Sequence, residues 1–322
     1  MRVDLSVFEQ IGLTQGDVEL IGGGRNGLVV QILSGEFEGN VAKHYGANKH
    51  HEADRLDREF ETLIFLNSGS DLNVPRPLRK FEEERIAIYS RVAGTRPEAE
   101  ANVVGPMVRF ISQLCEAHRQ NPSAWRHSAA EASFEVGDIL RQVERRLLIS
   151  SDNKVIDAKE SQVLDTLSSM FTRAQSRFSP AQKLKLQTLS QSDFGPHNML
   201  QHDDEFAFVD FEYFGIDSAS RVVLDVLWHP GTRMNAVSRI DFVSEAIELF
   251  AADDSSFGDE VLTCLPLIGL RWVAIMTNRA TSSSESSTGS QMIEYLRAVD
   301  ALLESRQSLD KQVSLVAQVV SS

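Results

Sequence analysis

The sequence runs to 322 residues, 42% of them hydrophobic and 24% charged, which is enough chain to bury a sizeable core and excludes disulfide-stapled miniproteins, fibrous repeats and wholesale disorder. Lys and Arg total 32 against 46 Asp and Glu, a formal net charge of −14, so the surface repels a phosphate backbone and nucleic acid is not an expected partner. Cys115 and Cys264, the two cysteines, lie in apolar surroundings without disulfide or metal-ligand spacing. The first residues, MRVDLSVFEQ, have no apolar run behind a basic start. Nor does any uncharged stretch approach the roughly 18 residues of a membrane span, so the expectation is a cytoplasmic protein with reduced thiols and no membrane partner.

Up to residue 92 the pattern is mostly strand-like: residues 18–21, 28–33 and 40–43 read as short strands punctuated by glycine-rich turns. One helix interrupts them, from about His51 to Leu66, where Leu56, Phe60, Leu63 and Ile64 recur with the helical period. Prolines force residues 74–77 to be extended, and residues 85–92 read as a closing strand. Beyond Ala93 the character changes to long helical patterns over residues 102–120, 133–149, 157–178, 219–229, 236–251, 260–280 and 291–306, broken by one strand at 205–211 and a polar loop at 281–288. Asp217 is expected to cap the helix that follows it. The expected architecture is α+β: a small antiparallel-sheet lobe, residues 1–92, hinged near residues 90–95 to a larger helical lobe, residues 93–322, with a ligand cleft between them.

The most informative segment is Ser190-Gln-Ser-Asp-Phe-Gly-Pro-His-Asn-Met-Leu200, followed by Phe208-Val-Asp-Phe-Glu-Tyr213. Phosphoryl transfer needs one carboxylate to receive the acceptor's proton and oxygen ligands that hold a divalent cation against phosphates. Asp193 suits the first role, and Asn198 and Asp210 the second. Asp-x-Gly-Pro is also ordinary turn chemistry, but Asp210 ends an aromatic strand, where an interior carboxylate requires a cation or donors.

Together these segments resemble the catalytic signature of the aminoglycoside phosphotransferase and choline kinase-like family, small-molecule kinases with a protein-kinase-like fold. The resemblance implies Asp193 as catalytic base, Asn198 and Asp210 as Mg²⁺ ligands, ATP as phosphoryl donor and a small-molecule hydroxyl as acceptor: a sugar, an aminoglycoside or an amino alcohol. One departure is Gln191, where the family often has His, and it keeps a catalytically silent, regulatory pseudokinase as the alternative reading.

Residues before 93 meet the same demand. The hairpin Gly22-Gly-Gly-Arg-Asn-Gly27 lets backbone amides approach phosphates, which makes Gly23, Gly24 and Asn26 candidate nucleotide contacts, although such a hairpin also occurs simply as a turn. Lys43 lies on the next strand, and Glu59 lies on the helix beside its apolar face, the family's phosphate-holding pair; Glu52 and Glu61 are nearby alternatives. Ser90 and Val92, at the end of the small lobe, stand where such kinases bind adenine through main-chain groups. His44, His50 and His51 have no ligand spacing around them. His197 either touches substrate or closes its loop, Asp225 either supports the catalytic loop or lies on a helix surface, and Arg271 and Trp272 read as helix core. Eight acidic residues and one basic residue, Arg221, fall between Asp193 and Asp225, a concentration that reads as a local Mg²⁺ site suited to a cationic or hydroxyl-rich acceptor.

Overall fold

The computed structural model describes residues 4–24, 27–46, 54–69, 71–98, 102–152, 158–282 and 288–321. Strands β1 (Val18–Gly24), β2 (Gly27–Ile32), β3 (Val41–Tyr45), β4 (Pro77–Phe81) and β5 (Ile86–Tyr89) form an antiparallel sheet in the order β1-β2-β3-β5-β4. The alternation of the strands sorts their side chains onto two faces. Val30, Ile32, Ala42, Ile86 and Ile88 pack against Phe8 and Leu13 of the N-terminal segment, which is turned back by a 3-10 helix, Ser6–Ile11. Tyr45, Ala87 and Tyr89 join Leu56, Leu63 and Leu66 of helix α1 (Arg55–Gly69) in the main core. Lys43, two residues before Tyr45 and paired with Ala87, therefore emerges on the α1 side.

Beyond β5 the described residues are mostly helical: α2 (Val104–Gln120), α3 (Val136–Asp152), α4 (Ala158–Arg177), α5 (Ala219–Trp228), α6 (Ala236–Ala251), α7 (Phe257–Ser282), α8 (Thr288–Glu304) and α9 (Leu309–Ser321). Every residue of α5 is buried. Within α7, residues Phe257–Asn278 are long and apolar enough to cross a membrane, with mean hydropathy 1.5, but 83% of that stretch is buried inside the protein. Both cysteines are buried and free.

Four short strands depart from the sequence expectation of one. β6 (Gln187–Ser190) pairs with β9 (Gly215–Ser218), and β7 (Met199–His202) pairs with β8 (Glu205–Phe208). The strand expected over residues 205–211 stops at Phe208 because the chain turns sharply at Asp210, which has φ 71. Asp217 is not a helix cap. It ends up buried on β9, taking the N–H groups of Ser133 and Ser218, while the Ser218 side chain caps α5. The helix at 309–321 and the 3-10 helices Ser6–Ile11 and Pro196–Asn198 have no counterpart in the sequence pattern, and most of the polar stretch 281–288 lies outside the described residues.

Two connecting segments grip the β7–β8 hairpin. Thr95 exchanges backbone hydrogen bonds with Gln201, at 3.0 and 2.7 Å, and Phe208 N donates to Asn73 O at 3.0 Å. Gly94 is required beside the first of these, since it has φ 118 and a Cβ there would lie 2.5 Å from Gln201 O.

Candidate active site

Lys43 Nζ sits between Glu59 Oε2 at 2.6 Å and Asp210 Oδ1 at 2.7 Å, with Glu212 Oε2 at 3.2 Å. Glu59 is fixed independently: Tyr45 Oη donates to its Oε2 at 2.6 Å and Phe211 N to its Oε1 at 3.1 Å. Burial works against the lysine's charge, but the three carboxylates outweigh it and hold its pKa well above the ordinary value. Burial pushes the Glu59 carboxyl up, against the pull of Lys43. Glu212 also reaches Arg55 Nη1 at 3.3 Å. Sequence reasoning missed Glu212, although its position two residues after Asp210 was a usable signal.

Across the cleft, the loop after β6 presents Asp193, whose side chain is 43% exposed. Ser192, just before it, has φ 72, so both Asp193 and Asp210 are set by left-handed backbone at or next to them, a local cost of the kind found at functional sites. His197 Nε2 lies 3.1 Å and His229 Nε2 3.4 Å from Asp193 Oδ1. Burial pushes the Asp193 carboxyl up, but hydrogen bonding from the two imidazoles prevails and holds it far below the usual carboxylate range.

Asn198 and Asp210 bracket the β7–β8 hairpin, and Val209 N donates to Asn198 O at 3.0 Å, closing its open end. Asn198 Nδ2 donates to Asp193 O at 2.9 Å, which leaves Oδ1 as the ligand-capable atom of the amide. Gln191 is buried, and its Nε2 donates to Val209 O and, at 3.1 Å, to Asp210 O, tying the Asp193 loop to the Asp210 segment.

A buried ionic network supports this loop. Arg221 pairs with Asp217 and, at 3.0 Å, with Asp225, and it also donates to the carbonyls of Ala130 and Glu131. Asp225 further accepts from Arg271 Nη1 at 2.9 Å and Trp272 Nε1 at 2.8 Å, so it is interior support and not a surface residue. Arg271 and Trp272 are buried, as expected of helix core, but polar partners fix both.

The structure brings Lys43, Glu59 and Asp210 together, and puts Asp193 and Asn198 on one loop. Glu61 is exposed, and Glu52, His50 and His51 lie outside the described residues, as does Asn26. Gly23 and Gly24 pair with Leu28 and Gly27 in the β1–β2 hairpin. Ser90 follows the end of β5, and its N–H and hydroxyl are both taken by Arg76. A cleft of about 370 Å³ opens at this junction, lined by Arg76, Ser90, Val92, Leu200 and Ala207 among others.

A five-stranded sheet whose lysine pairs with a glutamate on the helix beside it, set against a helical region carrying an Asp–Asn loop, is the protein-kinase-like fold of small-molecule kinases. Over residues 17–232, more than half its length, the chain matches the phosphotransferase enzyme family, and it belongs to that family. Similar solved structures include an aminoglycoside phosphotransferase, APH(2″)-IIa, in complex with gentamicin, with 13% identity, a TM-score of 0.62 and coverage of 92% of this chain and 97% of that one. A choline kinase from Cryptosporidium parvum has 11% identity and a TM-score of 0.61 over 91% and 93% of the two chains. The amicoumacin kinase hAmiN in complex with AMP-PNP and Ca²⁺ has 14% identity and a TM-score of 0.58 over 93% of each. At such identities the likeness is one of fold. By sequence, no curated protein matches.

Proposed function

We propose that the chain is an ATP- and Mg²⁺-dependent kinase that transfers the γ-phosphoryl group to a hydroxyl of a small acceptor of the sugar, aminoglycoside or amino-alcohol type. The observation that carries this reading is the placement of Lys43 Nζ between Glu59 and Asp210, with Asp193 on the loop that Gln191 Nε2 and the Asn198 carbonyl tie to the Asp210 segment. Glu59, Asp210 and Glu212 offer carboxylate oxygens within 4.8 Å of one another, an excess of negative charge that suits a divalent cation. Asp210 and Asn198 Oδ1 would hold it, and when bound it would neutralise charge on the phosphates.

Every other role falls to the chain itself. Lys43, released from Asp210, binds phosphate oxygens while Glu59 keeps the ammonium aimed. Asp193 orients the acceptor hydroxyl and takes its proton. Ser90 and Val92 line the cleft beyond β5, where their main-chain groups would read a purine edge. Gly23 and Gly24 leave the hairpin open to phosphate. We further propose a lobe boundary at 92/93 and a cytoplasmic setting, in keeping with the buried free thiols.

The test has two arms. Mg²⁺ and ATP together should raise the melting temperature more than either alone, a stabilisation of about 2.7 kcal/mol at 100-fold excess over Kd. Asp193→Asn should keep that shift and lose ADP release across a panel of choline, ethanolamine, gentamicin, streptomycin and simple sugars. Wild-type turnover by this variant would overturn Asp193 as the base.

A further inference from the structure

Asp193 is addressed by two imidazoles, and the second comes from outside its loop. His229 is the C-terminal cap residue of α5, where its N–H donates to Asp225 O at 2.9 Å. Its ring is constrained on several sides. His197 stacks on it with centroids 4.5 Å apart at 13°, Trp272 meets it edge-on at 4.5 Å and 74°, and Gly231 N donates to its Nδ1 at 2.9 Å. Trp272 is itself pinned through Nε1 to Asp225. Gly231 has a packing reason to lack a side chain, since a Cβ there would lie 2.9 Å from His229 Cε1.

Asp193, His197 and His229 have ligand atoms within 4.8 Å of one another, which raises the question of a metal site. The Gly231 bond argues against one. An imidazole that accepts an N–H at Nδ1 and is neutral carries its own proton on Nε2, so the nitrogen facing Asp193 is a donor with no lone pair to give. Metal-bound histidines have the reverse arrangement, with the second nitrogen donating to a carbonyl or carboxylate. Burial presses the pKa of His229 down, favouring that neutral form.

A carboxylate base has two equivalent oxygens and a soft terminal torsion, so its useful geometry has to be imposed from outside. We propose that His229 is a positioning residue for Asp193: its Nε2–H, held in place by Gly231, His197 and Trp272, engages Oδ1 beside His197 and leaves Oδ2 for the acceptor hydroxyl. The inference rests on the reading of Asp193 as base. The 3.4 Å separation is long for a formed bond, and contacts of this kind tighten when substrate closes the site.

Two substitutions separate donation from shape. His229→Phe keeps an aromatic ring against His197 and Trp272 but has no donor, whereas His229→Gln keeps an N–H at similar reach and loses the ring. ADP release from Mg·ATP with water as acceptor needs no identified substrate. On it, His229→Phe should lower kcat by about 10- to 100-fold with KM for ATP changed less than about twofold, the loss typical of a donor to a charged group. His229→Gln should recover kcat to within about fivefold of wild type. Equal behaviour of the two variants, whether both active or both silent, would overturn the proposal. Asp193→Asn, run in parallel, distinguishes the failures: a silent Asp193→Asn beside a fully active His229→Phe sinks only the positioning role, while an active Asp193→Asn sinks the base itself. Nitrogen-15 spectra of histidine-labelled wild-type protein give a reading without turnover. They should show His229 protonated on Nε2 at neutral pH, and a proton on Nδ1 alone would overturn the proposal.

Discussion

Lys43 is the only ammonium or guanidinium within 4.0 Å of Glu59 among the described residues, and it shares Asp210 and Glu212 with the same site. Replacing it with methionine should destabilise the protein by about 2–4 kcal/mol in denaturant titrations without divalent cation, because buried carboxylates lose their counter-charge. Added Mg²⁺ should restore part of that loss, and an unchanged unfolding midpoint would contradict the arrangement. These residues were legible in the sequence because their chemistry is local: Asp193, Asn198 and Asp210 fall within 18 positions of one another. Lys43 and Glu59 needed only a strand alternation and a helical period to be aimed at the same place. His229 was not legible. Its relation to Asp193 runs through the end of α5 and the packing of α7, neither of which leaves a motif.

At the scale of elements, the long helices were readable because each repeats its apolar period several times, whereas β6, β7, β8 and β9 have four residues each, too few to establish an alternation. Yet β6, paired with β9, leads into the loop that carries Asp193, so their packing is exacting. Gly215 on β9 shows how tight it is: a Cβ would lie 2.3 Å from both Ser128 C and Ala129 N, and that N–H already donates to Ile216 O as Ala130 N does to Tyr213 O. Gly215→Ala should cost about 3 kcal/mol, read as a fall of several degrees in melting temperature, because the opposing backbone cannot swing aside as a side chain would. Asp217 was misread for a related reason. A short polar residue before a helix resembles a cap, and only the paired strand reveals that Ser218 holds that place.

Across the whole molecule, four carboxylates of the acidic run from Asp193 to Asp225 are paired with one cation of the run itself, Arg221, and with three drawn from elsewhere. Lys43 and Arg55 answer Asp210 and Glu212, while Arg221 and Arg271 answer Asp217 and Asp225. Asp193 and Asp210 keep 43% and 40% of their side chains exposed, whereas Asp217 and Asp225 are buried, so the charge open to solvent is more selective than the density of the run suggests. Glu131 belongs to the same economy of charge. Burial pushes its carboxyl up, but Arg146 and Arg271 bring its pKa from 4.5 down to about 2. A native pKa below the unfolded one means that the unfolded chain binds the proton first, so the stabilisation is complete above pH 4.5 and vanishes as pH falls toward 2. Glu131→Gln should therefore lose about 2–3 kcal/mol in urea titrations at pH 7 and progressively less between pH 4.5 and 2; a gap independent of pH would disprove this. The grip of Thr95 and Asn73 on the β7–β8 hairpin has a mechanical consequence. The α1–β4 and β5–α2 connections, which carry Asn73 and Thr95, both land on the element whose open end is spanned by Asn198 and Asp210, and Val209 closes that end internally. The aperture between those two residues is therefore set once, at folding, so that any rocking of the sheet changes what can enter the cleft and not the width of the gauge that receives it.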